Sequence, residues 1–469
     1  MPSRSLFTLL FLVFVQWLAA STVTIHGRAA DYAGEKIVFN VYSDLITNTE
    51  TPVSQAIVAP DGSFSCTFEL GETRQVFTHL GIYRLSLFAK PGRDYEVSLP
   101  PWQEKTEADR LNPYFEEADF AFIISNQKQD ELNQLIRMFD DAYEPYFDKY
   151  AKNLQSKDRP VLLDSSIVEI LRPFRSDTDS YFRQYCYYKI GLLRHMAYQF
   201  KSRAMSDQFF IHKPIQYHNP AYMALFNQVY DKYFMYFLRT PNGQKIADDI
   251  NRSRSLGSLK RSLSDDQVLK GDSLLELVIL KNLYDEFYSD RFSRSAIFAL
   301  LDSVINGSPV TEHRLIAQNM KSIITRLLPG FDPPAFALLN RDSSLVKLSD
   351  LRGKYVYLCF CSCYSYSCLK EFDMLQKLYT KLHQYVEVVV ISVDGTLLQM
   401  KDFLARSHYN WTFLHYGQQP GVIKDYDIRG YPTYFLIDKQ GKLVLSPAPS
   451  PFENVESKMF EIMRAKGDI

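Results

Sequence analysis

Residues 355–372 have the sequence YVYLCFCSCYSYSCLKEF, an apolar run followed by a short polar stretch and the start of a helical pattern. The run Tyr355–Cys361 predicts a buried strand, because it contains only aromatic, aliphatic and cysteine side chains. The pattern from Cys368 to His383 predicts a helix. A strand that leads through a short turn into a helix is the repeating unit of α/β sheets.

The sequence after this segment continues to alternate between strand and helix patterns. Val386–Val393 is almost entirely apolar, which predicts a central strand covered on both faces. The further predicted elements are the strands Trp411–His415, Thr433–Ile437 and Lys442–Leu445, the helix Leu397–Ser407 and a final helix from about Glu453. This alternation predicts an α/β domain over residues 329–469.

Four short motifs occur within this predicted domain: Leu348–Lys354 (LSDLRGK), Cys368–Phe372 (CLKEF), Ile391–Asp394 (ISVD) and Gly430–Asp438 (GYPTYFLID). In sequence and in order they resemble thioredoxin-like domains of the TlpA/ResA type, the exported thiol-disulfide oxidoreductases of the bacterial cell envelope. The resemblance implies a thioredoxin fold, and it implies thiol-disulfide exchange as the activity of the family.

The redox motif of that family, Cys-x-x-Cys, is incomplete in this chain. The first cysteine of the family motif lies at a helix N-terminus, where free N–H groups and the helix dipole stabilise its thiolate. Ser365 occupies that position here, and only Cys368 matches the second, resolving cysteine. A serine hydroxyl cannot form a disulfide, so we predict weak or absent dithiol exchange at this motif.

Four of the six cysteines lie within ten residues, namely Cys359, Cys361, Cys363 and Cys368, and three explanations are open. They could be small core side chains, with Cys368 inert. Alternatively, Cys363 or Cys361 could replace the missing cysteine and pair with Cys368, provided that the Cα atoms lie within about 7 Å. A metal is the third explanation, but no histidine is near and the spacing is not a usual zinc pattern. We predict no metal site and no cofactor.

The resemblance also assigns roles to three further residues. Pro432 matches the cis-proline of the family, and Tyr431 matches the residue whose backbone pairs with an extended peptide, which makes both substrate-binding candidates. Glu371 matches a glutamate that lies near the thiols in the family. The alternatives are that Pro432 only shapes the start of a strand, and that Glu371 is an exposed first-turn acid that favours the helix dipole. Trp411 is expected in the core.

The N-terminal residues 1–20 predict a cleaved secretory signal. Arg4 precedes the apolar run Leu6–Ala20, which ends in small residues. The run is interrupted by Gln16 and is shorter than the roughly 20 residues of a membrane span. We therefore expect export to the periplasm or cell envelope, and a soluble protein after signal cleavage.

Residues 21–100 alternate between short strand patterns and turns, which predicts a β-sandwich domain. The predicted strands are Val23–His26, Lys36–Tyr42, Ser54–Val58, Ser63–Glu69, Tyr83–Ala89 and Tyr95–Leu99. Helical patterns dominate residues 101–328, for example Glu131–Tyr150, Tyr181–Phe200, Tyr222–Leu238 and Leu274–Tyr288. The basic stretch Asn251–Ser264 is predicted to be a solvated loop. The predicted fold is multidomain α+β: sandwich, helical region and thioredoxin-like domain.

The charge balance limits the possible partners. The formal net charge is −1, so no overall field favours nucleic acid. Two functions stay open: a thiol-disulfide oxidoreductase with impaired exchange, or a non-catalytic protein whose thioredoxin cleft binds a peptide or partner. In either case the expected partner is an exported protein or peptide, or a redox partner.

Overall fold

The structure is a computed structural model that describes residues 20–469 except 107–108, 110–111, 113–114, 127, 129–130, 153–158, 199–201, 242, 265, 267 and 420. The predicted signal sequence therefore lies outside the described residues, apart from Ala20. The chain forms two compact units, one containing residues up to 102 and 118–231, the other containing 103–117 and 232–469. The helices between residues 131 and 328 are thus divided between the units: those up to residue 231 belong to the first, and those from residue 232 belong to the second. No helix in the described part of the chain is both long and apolar enough to cross a membrane.

The first unit contains two β-sheets with one common hydrophobic cluster. The strands are β1 Ser21–Arg28, β2 Lys36–Tyr42, β3 Glu50–Ile57, β4 Ser63–Leu70, β5 Arg74–Leu80, β6 Tyr83–Ala89, β7 Asp94–Ser98, β8 Ala118–Ala121 and β9 Ile123–Ile124. They pair in the orders β4-β1-β7-β9 and β3-β2-β5-β6-β8. The inward side chains of both sheets, such as Ile25 and Phe39, belong to the same core. This arrangement is compatible with the predicted sandwich.

The helices of the first unit differ from the prediction at one break. They are α1 Leu132–Lys152, α2 Arg159–Leu171, α3 Ser180–Tyr198, α4 Ser202–Phe209 and α5 Pro220–Val229. The single helix predicted over Tyr222–Leu238 is wrong, because α5 ends at Val229 and a separate helix, α6 Tyr233–Phe237, follows. Lys232 between them has a φ of 50°, a left-handed conformation that a continuous helix cannot contain.

The second unit begins with helices, and one of them replaces a predicted loop. After α6 come α7 Gly243–Asp248, a π-helical turn Asp249–Ser253, α8 Leu256–Ser264, α9 Asp272–Asp285, α10 Arg294–Gly307 and α11 Thr311–Thr325. The solvated loop predicted over Asn251–Ser264 is wrong. Leu259 and Leu263 of α8 are fully buried, and this four-residue spacing forms an apolar stripe that the surrounding serines and basic residues concealed.

A seven-stranded mixed sheet forms the rest of the second unit. Its strands are β10 Ala337–Asn340, β11 Leu345–Lys347, β12 Tyr355–Cys361, β13 Val386–Ser392, β14 Thr412–His415, β15 Thr433–Ile437 and β16 Leu443–Ala448. Its helices are α12 Tyr366–Leu382, α13 Leu397–Ala405, α14 Val422–Asp425 and α15 Val455–Ala465. The strand order β11-β10-β14-β13-β12-β15-β16 places β13 at the centre, which confirms that prediction. The predicted thioredoxin-like domain is confirmed.

The two faces of this sheet have separate cores, and β12 contributes to both. Tyr357, Cys359 and Cys361 face a core that includes side chains of α12, α13 and α15. The alternate residues Leu358 and Phe360 face the core that includes α14. Helices on both faces explain why all seven residues of β12 are buried. Trp411 is 1% exposed, which confirms its expected place in the core.

A buried polar cluster connects helices of the second unit. The carboxylate of Glu276 on α9 is 2% exposed and accepts a hydrogen bond of 2.7 Å from Nδ1 of His313 on α11. It also accepts hydrogen bonds from the Ser308 hydroxyl and the Lys260 ammonium group. Burial by itself would raise the pKa of Glu276, but the bonds from His313, Lys260 and Ser308 outweigh it and lower the pKa to about 2.

Substitution Glu276→Gln is expected to destabilise the second unit by about 3 kcal/mol, because it leaves buried donors without a charged acceptor. The destabilisation should depend on pH. An ionised Glu276 stabilises the fold above its usual pKa of 4.5, and that contribution is lost as the pH falls toward 2. Thermal unfolding of both proteins at several pH values measures the difference, with the exposed Asp290→Asn as control. An unfolding difference that stays constant down to pH 2 would contradict this assignment.

Candidate functional site

The candidate site is the turn between β12 and α12, at the carboxyl end of a buried strand. Ser362–Ser365 form this turn, and Pro432 lies beside it, just before β15. The Tyr431–Pro432 peptide bond is cis. The Ser367 hydroxyl donates a hydrogen bond of 3.4 Å to the Tyr431 carbonyl. The structure therefore brings together the two regions that the sequence singles out, the Ser365–Cys368 segment and the strand that follows Pro432.

Ser365 is the N-cap residue of α12, but its side chain does not cap the helix. Its hydroxyl lies 2.8 Å from the Ser367 hydroxyl and also donates to the sulfur of Cys368. The residue is half-buried. A neutral hydroxyl thus stands at the start of α12, and its hydrogen bonds stay within the protein.

Cys368 is completely buried, yet the pKa of its thiol lies below the usual value of 9.0. The largest cause is the hydrogen bond that the Cys361 thiol donates to its sulfur. Burial opposes this effect, while the Ser362 backbone N–H and the Ser365 hydroxyl also donate to the sulfur and lower the pKa. The charge of Glu371 raises it slightly. Three donors therefore converge on one sulfur atom, an arrangement that favours the thiolate.

Cys361 and Cys363 have different surroundings although both are buried. The thiol of Cys361 donates to Cys368, and its pKa is raised well above 9.0 by burial and by its hydrogen bonds to Cys359 and Cys368. The pKa of Cys363 is also raised, first by burial and then by the charge of Asp394 and a hydrogen bond to that carboxylate. All six cysteines of the chain are free and buried. Among the described residues, no group of three His, Cys, Asp or Glu side chains could hold a metal ion.

Asp394 organises the turn, a role that sequence reasoning missed. Its carboxylate is 2% exposed and accepts hydrogen bonds from the hydroxyls of Ser362 (2.7 Å) and Ser392 (2.6 Å) and from the Cys363 amide (3.1 Å). His415 Nε2 donates to the Asp394 carbonyl at 2.9 Å. The sequence motif Ile391–Asp394 contains a signal for this role, since an acid directly after a buried strand needs hydrogen-bond donors.

Glu371 is not the exposed first-turn acid of the alternative explanation. It lies in the second turn of α12, is half-buried, and accepts a hydrogen bond of 2.6 Å from the Tyr434 hydroxyl. Burial raises the pKa of Glu371, the Tyr434 bond lowers it, and the charge of Glu453 raises it again. The net direction is upward. This carboxylate therefore links α12 to β15, the strand that follows Pro432.

Large apolar side chains surround the turn on its exposed side. Tyr366 is 82% exposed and Tyr364 49%, while Leu369 on the next turn of α12 is 37% exposed. Within the described residues, the Tyr431 amide has no hydrogen-bond partner. This side of the turn thus presents exposed apolar side chains together with an unpaired backbone amide.

A family model matches the C-terminal part of the chain, and curated proteins match about a quarter of its length. A family model described as the AhpC/TSA family matches residues 329–446. The thiol-disulfide oxidoreductase ResA of Oceanobacillus iheyensis is 36% identical over 134 residues, which cover 27% of this chain and 69% of that protein. ResA of Bacillus subtilis is 33% identical over 117 residues, covering 24% and 64% respectively. The chain spans 66% of the length of the ResA protein of Bacillus anthracis.

Similar solved structures cover a comparable share of the chain. The crystal structure of a putative thiol:disulfide interchange protein DsbE from Chlorobium tepidum is 28% identical to it. That similarity covers 30% of this chain and 98% of the other, with a TM-score of 0.27.

Substitution Asp394→Asn is expected to loosen the turn and expose Cys363. The carboxylate of Asp394 accepts hydrogen bonds with two oxygens, whereas the asparagine amide has only one acceptor oxygen. At least one of these hydrogen bonds is therefore lost, and losing a hydrogen bond to a charged group costs about 2 kcal/mol. Alkylation of Cys363 in the native protein should accelerate by about tenfold or more. Mass mapping of the alkylated peptide measures this rate. If the rate equals that of the exposed control Asp402→Asn, Asp394 does not hold the turn.

Proposed function

The chain belongs to the thioredoxin-like thiol-disulfide oxidoreductases related to ResA, and from this membership we propose that it is an exported protein that binds a peptide or partner protein while exchanging dithiols weakly or not at all. One observation carries the proposal: Ser365 stands at the start of α12, where the family motif has its first cysteine. The proposed export depends on the signal pattern of residues 1–20.

Weak exchange follows from the access that the reaction requires. A thiolate must reach a substrate disulfide and approach one sulfur along the S–S axis. Cys368 is the thiol with the lowered pKa, but its exposed fraction is 0%. Ser365 is better placed at the surface, but its hydroxyl is not ionised at neutral pH and forms no disulfide. The reachable group thus lacks the chemistry, and the group with the chemistry lies in the core, where a folded protein substrate cannot reach it.

Partner binding follows from features that do not depend on a thiol. An extended peptide lying across the turn can accept a hydrogen bond from the free Tyr431 amide, as a strand added to an edge does. Tyr364, Tyr366 and Leu369 provide apolar surface on either side. Tyrosine contributes a large contact area while losing little conformational entropy, which is why it is common in binding surfaces. We call these four residues, with Pro432, the binding face.

Restoring the missing cysteine tests whether Ser365 is the reason for weak dithiol exchange. Substitution Ser365→Cys is expected to increase the rate of insulin disulfide reduction by at least about tenfold, because it supplies a reachable thiolate at a helix N-terminus beside the resolving Cys368. The double variant Ser365→Cys/Cys368→Ser is the control and should lose the gain, since it cannot resolve the mixed disulfide. A wild-type rate equal to that of Ser365→Cys, and abolished by Cys368→Ala, would refute the proposal.

Binding can be measured with a peptide that has no thiol. The probe is the fluorescently labelled insulin B chain with both cysteines carboxymethylated. Substitution Tyr366→Ala should weaken binding by about tenfold, the loss typical of an interface tyrosine. Tyr366 is 82% exposed, so the change should leave folding intact. The control Tyr385→Ala removes a tyrosine beyond the opposite end of α12. Equal affinities of the two variants would place the binding surface elsewhere.

A further inference from the structure

Cys361 and Cys368 are neighbouring buried thiols to which the proposed function gives no role. Cys361 is the last residue of β12, and Cys368 lies in the first turn of α12. Both side chains are 0% exposed and belong to the same core. The Cys361 thiol donates a hydrogen bond to the Cys368 sulfur, which places the two residues next to each other within that core.

We propose that Cys361 and Cys368 form a reversible disulfide beneath the binding face, joining the end of β12 to the start of α12. This inference deepens the proposed function and rests on it for the location of the binding face. It differs from the family motif, in which the paired cysteines are separated by two residues. Here the pair is separated by six residues and lies inside the protein.

The alternative partner, Cys363, is directed to a different group. Its thiol donates to the Asp394 carboxylate, and its backbone amide donates to the same carboxylate at 3.1 Å. Pairing Cys363 with Cys368 would break the thiol bond to a buried negative charge, which is costly because that acceptor would lose a donor. The Cys361 thiol already donates to the Cys368 sulfur, so forming a disulfide between them requires no reorientation of the Cys361 side chain.

The surroundings of Cys368 suit it to be the attacking sulfur. The Ser362 amide, the Ser365 hydroxyl and the Cys361 thiol all donate to it. Donors that converge on a sulfur stabilise the anion, and the anion is the nucleophile in disulfide exchange. Tyr364 in the turn and Tyr366 and Ser367 at the start of α12 are exposed, so this is the side from which a small reagent approaches Cys368 when the turn opens.

The reaction is an exchange with an external organic disulfide, such as oxidised glutathione. The Cys368 thiolate attacks one glutathione sulfur; the glutathione S–S bond breaks, and one glutathione thiolate leaves. That thiolate takes the proton of Cys361. The Cys361 sulfur then attacks Cys368, forming the new S–S bond and expelling the second glutathione thiolate, which takes up the proton that Cys368 released on ionising. Two electrons pass from the protein thiols to glutathione, which ends as two thiols.

Incubation of the purified full chain with oxidised glutathione, followed by intact-mass measurement and peptide mapping, tests the proposal. We expect the protein to lose about 2 Da, the mass of two hydrogen atoms, and the map to show a Cys361–Cys368 cross-link that a dithiol reverses. Cys363→Ser is the matched control and should retain the cross-link. Cys361→Ser should instead stop at a glutathione adduct on Cys368.

Mapping of the wild-type protein keeps the test independent of how the variants fold. A Cys363–Cys368 cross-link, or thiols that stay free in the native protein and in mild denaturant, would overturn the inference. Either outcome leaves the proposed function intact, since that function is tested by insulin reduction and by binding of the carboxymethylated peptide. Conversely, fast insulin reduction by the wild-type protein would refute the proposed function without affecting the cross-link.

Discussion

The structure of the site depends on the complete burial of β12. Because helices cover both faces of the sheet, alternate residues of this strand pack into two different cores. A shift of the strand by one residue would move every side chain to the opposite core. This constraint fixes the register of β12 with β13, in which Cys361 is opposite Ser392. It thereby also fixes where the strand ends and where the chain must turn toward α12. The position of Ser365 therefore follows from the packing of β12, which ends a few residues before it.

A second constraint acts at the end of the strand, where the buried Asp394 carboxylate needs donors. The donors are Ser362 and Cys363 of the turn and Ser392 of β13, so hydrogen bonds to Asp394 fix the backbone of the turn. The same bonds divide the cysteines into two groups. Cys363 is held by the carboxylate, whereas Cys361 and Cys368 interact with each other. Electrostatics at one acid thus determines which thiols can react together.

The elements that sequence predicted best are those in which burial and periodicity agree. Tyr355–Cys361 and Thr433–Ile437 match the observed strands at both ends, because continuous apolar runs leave one interpretation. The strand β5 was missed because Gln75, Thr78 and His79 interrupt its apolar pattern.

Sequence could place the candidate site but not its contacts. The motifs pointed to Ser365, Cys368 and Pro432 as site candidates, and the structure places the segment Ser365–Cys368 beside Pro432. They could not show that Glu371 contacts Tyr434, or that Cys361 rather than Cys363 contacts Cys368, since these contacts depend on side-chain direction across a turn. The alternation of side chains along β12 predicts that Cys359, Cys361 and Cys363 lie on the same face. The strand ends at Cys361, however, so alternation cannot predict the direction of the Cys363 side chain.

Ser365 and Cys368 contribute unequally to stability, and this explains how the fold accommodates a serine at position 365. The side chain at position 365 is half-buried, lies outside the core and finds polar partners in Ser367 and the Cys368 sulfur, so a hydroxyl is accommodated there without a desolvation penalty. Position 368 is inside the core, where the thiol fills space among apolar side chains and behaves as a small hydrophobe. Packing therefore holds Cys368 in place independently of redox chemistry, whereas only reactivity would require a cysteine at position 365.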